Sequence, residues 1–392
     1  MPPAPPPNKT PTDRRAEWPL DPDIAYLNHG GYGVTPIPVL AAQEEWRQRI
    51  ERNPTGFMAR ELPAALRQTA AEVAKAVGAA ASDLVFVENA TAGINAVLRS
   101  LRLGAGDEIL VTSLAYPAVL KAARFVCEAA GASLVEVEIP LPVAAEETVT
   151  DAVASRLSRR TRLVIFDHIA SASALVLPVA KLTALARQVG ARVLIDGAHA
   201  PGQIPLDIAA IGAEYYVGNL HKWYFAPRGC GFLHAAPAAQ EGLHPLAISH
   251  GLGGGIIAEF DWTGTRDFSH VLAAPAGIGF HASLGGAALM ARNRGLARAA
   301  ATLLAREWRS EMGGPSDAFA AMATVRLPLA DEVSTARAVA LCRFLAERHR
   351  IEVAINAVSG ALWLRISAQA YNDLAEYERL AAIFAAPRND LP

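Results

Sequence analysis

The sequence predicts an α/β fold with a mostly parallel sheet that helices cover on both faces. Short runs rich in valine, isoleucine and leucine recur between residues 84 and 234, and helix-period segments separate most of them. Buried strands that alternate with amphipathic helices are typical of this architecture. The predicted strands are 84–88, 108–112, 133–139, 162–167, 192–196, 214–217 and 230–234, and the predicted helices are 91–102, 116–130, 147–158 and 178–190.

The part of the chain before the predicted sheet divides into a tail and a segment of the large domain. Residues 1–17 are rich in proline and polar side chains, which predicts a disordered tail. They contain no apolar core, so they are neither a signal peptide nor a transmembrane helix. Residues 18–45 carry aromatic and glycine residues, and we expect them to fold back over the site. The predicted large domain therefore spans residues 18–282.

The second half of the chain is predicted to hold a long loop region and a smaller domain. Residues 236–282 are rich in glycine and predict an irregular region, and long loops of this kind are more often functional than idle. From about residue 284 a helix rich in alanine and arginine begins, and strands follow at 323–327 and 361–367. Residues 283–392 are therefore predicted to form a smaller α+β domain.

Composition excludes several classes of partner. The chain has 392 residues, 52% of them hydrophobic, which is enough to bury a large core. Its formal net charge of −2 gives no bulk attraction to nucleic acid or to an anionic membrane. Cys127, Cys230 and Cys342 are scattered and form no C-x-x-C pair, which favours free thiols in a reducing compartment. A cytoplasmic protein is the resulting prediction.

The most informative feature is an aspartate and a lysine at the ends of neighbouring buried segments. Asp196 ends the predicted strand 192–196, and Lys222 follows 26 residues later. A buried aspartate needs a positive partner, since an unpaired buried charge is costly. A desolvated lysine loses its proton readily and then attacks carbonyl groups. The pair indicates a Schiff base between Lys222 and pyridoxal phosphate (PLP), with Asp196 keeping the ring nitrogen protonated.

Lysine is rare in this chain, which makes Lys222 the one serious candidate for covalent chemistry. Lys9 lies in the predicted tail. The others lie in helical stretches rich in alanine and leucine, where a solvated side chain is expected: Lys75, Lys121 and Lys181.

A second motif, at residues 88–94, predicts a phosphate site. It ends one predicted strand and opens the next helix with small residues that let the backbone approach an anion. Amide groups and the helix dipole favour negative charge at such a helix start. The alternative is that Asn89 or Thr91 is an ordinary helix cap.

Two consecutive predicted strands end in the same pair of residue types. Asp167 and His168 close one strand and Ser171 follows them, while Asp196 and His199 repeat the pattern on the next strand. One such aspartate is often a turn residue, but two strands that bring aspartate and histidine to one edge favour a site, because ligands bind at the carboxyl ends of parallel strands. We expect the histidines and the serine to position the ring oxygen, the phosphate or the substrate.

Two further side chains are candidates for recognition. Tyr116 precedes a proline at the start of a predicted helix, where its ring could stack on the cofactor or simply pack at the helix start. Arg365 is a charge inside the apolar strand 361–367. Arginine suits bidentate binding of a carboxylate, and the alternative is an edge residue that reaches solvent.

Motifs of other enzyme classes are absent from the sequence. It contains no G-x-S-x-G, no P-loop and no H-E-x-x-H. The glycines at 251–255 do not follow a predicted strand, which excludes a dinucleotide fingerprint. The ten histidines lack the spacing with cysteines that a structural zinc requires, so no metal is expected.

Taken together, these motifs resemble the class V aminotransferase family of fold-type I PLP-dependent enzymes, and within it the isopenicillin N epimerase-like branch. The resemblance runs from about residue 24 to about residue 372. The aspartate–lysine pair is specific for the superfamily, and the first motif points to the branch. The matching motifs are LNHGGYG at 27–33, ENAT at 88–91, DHIAS at 167–171, DGAH at 196–199, GNLHKW at 218–223 and LRIS at 364–367.

The resemblance implies a large PLP-binding domain, a homodimer with its sites at the interface, and a role for each matching residue. Lys222 matches the lysine that binds the cofactor, and Asp196 matches the partner of the ring nitrogen. The implied catalytic residues are Lys222, Asp196, His199 and Tyr116; the implied cofactor contacts also include Thr91, Ala92, His168, Ser171, His221 and, from the neighbouring subunit, Thr265; the implied substrate contacts are Arg365, Asn28, His29 and Tyr32.

The predicted function is removal of the Cα proton of an α-amino acid by Lys222. Three branches then stay open: epimerisation, elimination of a β-substituent as in carbon–sulfur lyases, and transamination. Epimerisation needs a second acid on the opposite face, for which His29, Tyr32 and Tyr116 are candidates. Desulfurases of this class carry a reactive cysteine before the last strand, and residues 358–361 contain none, which argues against that activity.

Two alternatives from other classes remain at this point. One is a protein that binds PLP without turnover, which the intact Lys222, Asp196 and Arg365 argue against. The other is an α/β binding protein without PLP, in which Asp196 and Lys222 form only a structural ion pair.

Overall fold

The computed structural model describes residues 11–329 and 332–385, so the predictions for residues 1–10 and 386–392 lie outside the described residues. The strands are β1 Ala25–Tyr26, β2 Leu84–Val87, β3 Glu108–Thr112, β4 Ser133–Val137, β5 Thr161–Asp167, β6 Arg192–Gly197, β7 Tyr215–Asn219, β8 Gly231–Ala235, β9 Met322–Arg326, β10 Ile351–Glu352, β11 Ala354–Val358 and β12 Ala361–Ser367. The helices are α1 Pro11–Arg15, α2 His29–Tyr32, α3 Ile37–Arg52, α4 Pro54–Gly56, α5 Leu62–Val77, α6 Ala90–Ser100, α7 Pro117–Ala130, α8 Glu146–Ala154, α9 Val179–Gln188, α10 Ile208–Ile211, α11 Ile256–Asp261, α12 Ser269–Leu272, α13 Ala274–Ser283, α14 Ala287–Glu307, α15 Thr335–His349 and α16 Leu374–Phe384.

The centre of the large domain is a seven-stranded sheet with the order β2-β8-β7-β6-β5-β3-β4. Strands β3 to β7 pair in parallel, and β8 runs antiparallel between β2 and β7. The predicted α/β fold with a mostly parallel seven-stranded sheet is confirmed. All seven predicted strands are present.

Side chains of the sheet alternate between two apolar cores, one on each face. Along β6, Val193 and Ile195 enter one core and Leu194 enters the other. Helices α6 and α7 supply Ile94 and Val119 to the core of Leu194, and α5 and α9 cover the opposite face. Because both faces are covered, the strands are apolar along their length. Polar side chains therefore gather at the strand ends.

The N-terminal segment packs against both the large domain and the C-terminal part of the chain. The Trp18 ring is 3% exposed, and its edge packs against Phe225, Phe280 and Tyr371 at centroid distances of 5.8, 5.3 and 5.0 Å. Strand β1 pairs in parallel with β10 of the C-terminal part. These contacts hold the N-terminal segment near the carboxyl ends of the parallel strands.

The predicted disordered tail is wrong for its last seven residues. Residues 11–15 form the helix α1. Arg15 at its end donates hydrogen bonds to the carbonyl oxygens of Asp21 and Ile24, at 2.9 and 2.5 Å. The proline-rich composition was misleading here because Trp18 and Arg15 anchor this stretch to the folded chain.

The C-terminal part contains an antiparallel sheet of order β11-β12-β9, against which α14, α15 and α16 lie. This agrees with an α+β unit, although β11 had no counterpart in the prediction. The region 236–282, predicted as irregular, also contains the helices α11, α12 and α13. α11 and α12 are too short, at six and four residues, to show a helical period, and α13 contains two glycines. The division at residue 282 stays a prediction.

Within residues 11–329 and 332–385, no single helix is long and apolar enough to cross a bilayer. The segments Ser269–Ser283 and Ala287–Glu307 meet the requirement only together, and the chain bends by 70° between them.

We predict that Trp18→Ala lowers the free energy of unfolding by about 3–5 kcal/mol, because it removes a buried indole from an aromatic cluster. Thermal and urea unfolding would measure the loss. Phe125→Ala is the matched control, since Phe125 is 57% exposed and should change the midpoint little. Equal effects of the two substitutions would contradict the anchoring role of Trp18.

Candidate active site

Three predicted residues meet where β6 and β7 end. Asp196 is in β6, His199 follows it after a tight turn, and Lys222 lies just beyond β7. Lys222 Nζ and His199 Nε2 are 3.1 Å apart. The structure therefore brings Asp196, His199 and Lys222 into one buried cluster.

The Asp196 carboxylate is held by its own turn. Its Oδ1 accepts a hydrogen bond from the Ala198 amide at 2.9 Å, which leaves Oδ2 for another donor. Burial raises the pKa of Asp196, while the Ala198 amide and the charge of Lys222 oppose this shift. Asp196 is thus a buried acid that a cationic partner stabilises as an anion.

The Lys222 amine is desolvated. Burial, together with the positive charge of Arg365, lowers the pKa of Lys222 to about 7 against the opposing effect of Asp196. A lysine with this pKa is partly neutral near neutral pH, so it is both a nucleophile and a base.

His199 is buried and neutral. Burial lowers the pKa of His199 well below its ordinary value, and Lys222 and Arg365 add to the effect. Because Nε2 accepts from the Lys222 amine, we assign the ring proton to Nδ1. Within the described residues Nδ1 has no hydrogen-bond partner. The ring therefore presents a buried N–H group that lacks an acceptor.

A second group forms around Arg365, in the middle of β12. Its Nη1 donates to the Ser171 carbonyl at 2.5 Å and lies 3.4 Å from the Ser171 hydroxyl, and its Nη2 donates to Asn28 Oδ1 at 2.9 Å. Arg365 Nε has no partner in the part of the chain that the structure describes. Burial lowers the pKa of Arg365 to about 10, so the guanidinium stays charged near neutral pH. Arg365, Ser171 and Asn28 are thus brought together, and Arg365 does not reach solvent.

The start of α6 faces the same edge of the sheet. Asn89 caps the helix, and its Oδ1 accepts from the Ala92 amide at 3.0 Å. Asn219 Oδ1 accepts from the Ala90 amide at 2.9 Å. The capping role considered for Asn89 is present, and an anion at this helix start would meet the Thr91 amide first.

His168 does not join the cluster. Its ring Nδ1 lies 2.9 Å from the hydroxyl of Tyr216, which is buried in the core on the face opposite to Asp196. Successive residues of a strand point to opposite faces, so Asp167 and His168 cannot share one. His199 escapes this rule because a turn separates it from Asp196. The cofactor contact expected of His168 stays a prediction.

His29 lies behind the lysine rather than beside a substrate. Its Nδ1 accepts from the Tyr371 hydroxyl at 2.9 Å, and its Nε2 donates to the Lys222 carbonyl at 3.0 Å. Both nitrogens are occupied, and burial lowers the pKa of His29 to about 4. The predicted substrate contact of His29 is wrong in this structure. Tyr32 is 73% exposed, and its expected substrate contact stays a prediction.

The remaining predicted contacts lie at the margin of the cluster. His221 Nδ1 is 3.2 Å from the Cys230 carbonyl, and burial lowers the pKa of His221 to about 4. Tyr116 precedes α7 and is 44% exposed. Thr265 is exposed on the loop before α12. Its expected role needs a second chain and stays a prediction.

Three residues that matter to the site were not assigned from the sequence. Asn219 fixes the first amide of α6, Tyr371 orients His29, and Gly33 lets the chain pass the lysine loop. A Cβ atom on Gly33 would lie 1.9 Å from the His221 carbonyl oxygen, and its φ of 69° favours glycine. Asn219 and Gly33 lie in the motifs at 218–223 and 27–33 without an assigned role, whereas Tyr371 lies in none of the motifs.

These donors and acceptors fit PLP. The unpartnered N–H of His199 suits the ring oxygen, the second oxygen of Asp196 suits a protonated ring nitrogen, and the Lys222 amine suits the aldehyde. The start of α6 suits the phosphate. Each polar group of the cofactor would find a complementary group among the described residues.

Solved structures of known proteins share this fold. A mutant of the cystine C-S lyase C-DES, with glycine covalently linked to its PLP cofactor, matches with a TM-score of 0.78 and 23% identity over 95% of this chain and 98% of that one. The apo cysteine desulfurase of Thermococcus onnurineus NA1 matches with a TM-score of 0.79 and 20% identity over 96% and 98%. Fold and site together define a fold-type I PLP-dependent enzyme.

The family assignment is direct. The family model "Aminotransferase class-V" matches residues 25–376, and the chain belongs to this family. It is 35% identical to isopenicillin N epimerase of Streptomyces clavuligerus, over 94% of this chain and 96% of that protein. It is 32% identical to a probable chloroplastic L-cysteine desulfhydrase of Arabidopsis thaliana, over 92% and 82%. The predicted resemblance is confirmed, whereas the cytoplasmic location stays a prediction.

We predict that PLP added to the cofactor-free protein attaches to Lys222 with a rate that follows the fraction of neutral amine. A pKa of about 7 means that the rate rises between about pH 6 and pH 8 and then levels off. Borohydride trapping and peptide mapping would measure it, with Lys222→Ala as the control. A rate that still rises above about pH 9 would contradict desolvation of the amine.

Proposed function

We propose that this enzyme is a carbon–sulfur lyase that eliminates the β-sulfur of a cysteine-type α-amino acid. The observation that supports the proposal is the desolvated amine of Lys222, a base with a pKa of about 7, near the buried guanidinium of Arg365, whose Nε has no partner among the described residues. Elimination needs only this base and a leaving group. With cysteine and water, the products would be pyruvate, ammonia and hydrogen sulfide, which balances all atoms.

Each residue of the site would have one role in this elimination. Arg365, with Asn28 and Ser171 around it, would bind the α-carboxylate. Lys222 would take the Cα proton, and His199 would orient the ring oxygen. Asp196 would keep the ring nitrogen protonated. The bound cofactor supplies the electron sink that makes the Cα–H bond acidic.

The location of the cysteines argues that sulfur leaves with the product instead of passing to the enzyme. The turn between β11 and β12, Ser359 and Gly360, and the residues on either side of it contain no cysteine. Cys127 and Cys230 are buried, Cys342 is half-buried in α15, and burial raises the pKa of all three thiols. A thiolate acceptor of the desulfurase type is therefore missing from the described residues.

Epimerisation is the second candidate, and the 35% identity to isopenicillin N epimerase over 94% of the chain favours it. It would need an acid on the face of the substrate opposite to Lys222. Both ring nitrogens of His29 are already hydrogen-bonded, which leaves the phenols of Tyr32 and Tyr116 as the candidates from this chain, and Tyr116 is the less exposed of the two.

A single experiment separates the branches. The holoenzyme is incubated in heavy water with L-cysteine and with a panel of amino acids that lack a β-leaving group. Elimination predicts sulfide, ammonia and pyruvate from cysteine, with no inversion of the others. Deuterium at Cα with inverted configuration would instead establish epimerisation, and a keto acid without ammonia would establish transamination. Tyr116→Phe is the control, since elimination should survive it and epimerisation should not.

We predict that Arg365→Lys raises KM for the amino acid by about tenfold or more, because lysine cannot reproduce the two-pronged charged hydrogen bond. Steady-state kinetics of cysteine breakdown would measure the change. Arg326→Lys on the paired strand β9 is the matched control, since its exposed guanidinium bonds to Glu311. An unchanged KM in Arg365→Lys would remove Arg365 from the substrate site.

A further inference from the structure

A second buried carboxyl group lies beside Asp196. Asp167 ends β5, and its Cα is the direct partner of the Asp196 Cα in β6. The two residues are 3% and 5% exposed. Paired positions of a parallel sheet point to the same face, and neighbouring strands are about 4.8 Å apart. The two carboxyl groups are therefore within reach of one hydrogen bond.

The positive charge near Asp167 and Asp196 is too small to stabilise both carboxyl groups as anions. Lys222 acts on Asp196, whereas the charge that acts on Asp167 is that of Asp196 itself. The groups that favour the charged form of Asp167 are two backbone amides, those of Asp167 and Tyr116. Two buried carboxyl groups with one cation hold one proton between them.

The remaining groups around the pair do not supply a second positive charge. His199, after β6, has a pKa well below its ordinary value because of burial, and it is neutral. Tyr216, on β7, has a pKa raised by burial and by Asp196, and it is neutral as well. The proton of the pair therefore has to stay on one of the two aspartates.

We propose that Asp167 is a positioning residue that stays a neutral carboxylic acid and donates its O–H to Asp196. This hydrogen bond stabilises Asp196 as the anion that pairs with the cofactor ring. Sequence reasoning assigned only Asp196 to this role. The proposal concerns the resting site, so it holds for elimination and for epimerisation alike.

The sign of the pH dependence follows from burial. Burial and then the charge of Asp196 raise the pKa of Asp167 well above its ordinary value. The folded state therefore binds this proton more tightly than the unfolded chain does. The resulting stabilisation is complete below the ordinary aspartate pKa, and it is lost as the pH rises through the raised value.

Infrared spectroscopy of the holoenzyme tests the protonation directly. The difference spectrum between wild type and Asp167→Asn at neutral pH should contain the carbonyl stretch of a protonated carboxylic acid. Asp167→Glu keeps an acid at this position and should shift the band without removing it. Asp151→Asn, an exposed acid in α8, is the control and should remove only a carboxylate band. A carboxylate band at Asp167 would overturn the proposal.

Two further measurements keep the test independent of the proposed reaction. In the cofactor-free chain, Asp167→Asn should gain thermal stability relative to wild type as the pH rises, whereas Asp151→Asn should not. Asp167→Ala should weaken PLP binding by about tenfold or more, and Asp167→Asn should restore it, since its amide still donates a hydrogen bond. The positioning role of Asp167 is overturned if the stabilities of wild type and Asp167→Asn change in parallel with pH. It is also overturned if Asp167→Ala and Asp167→Asn bind PLP with equal affinity. Either result would count even if cysteine breakdown is confirmed.

Discussion

The burial of the Lys222 amine, in contact with His199 and within the field of the Asp196 carboxylate, is the constraint on which the site depends. Taking an ammonium out of water favours its neutral form, and a carboxylate nearby limits this effect. The result is a pKa of about 7, near the point where an amine is useful as both nucleophile and base. The apolar sheet supplies the desolvation, and the strand ends supply the polar partners.

The sequence predicted the sheet well because its information is local. Each parallel strand is covered on both faces, so it appears as an uninterrupted apolar run, and the seven runs matched seven strands. The residues that follow those runs, Asp196 and Lys222, were placed correctly for the same reason. Helices rich in glycine, such as Ala274–Ser283, gave no comparable periodic signal.

The structure departs from expectation where neighbours along the chain were expected to be neighbours in space. His168 follows Asp167 directly, and the alternation of a strand carries its ring to the other core. His29 was matched to a substrate role from its motif, but its partner Tyr371 lies 342 residues away in the chain. No pattern in a single sequence reports a contact over that separation. Such contacts require the fold.

That separation has a consequence for how the enzyme is made. The carbonyl of Lys222 is held by a histidine near the start of the chain, which is oriented in turn by a tyrosine near its end. During synthesis on the ribosome, the seven-stranded sheet can assemble while the C-terminal part is still being translated. The surroundings of the reactive amine are complete only when the segment that carries Tyr371 has been synthesised and has packed against His29, so the sheet can form before the site does.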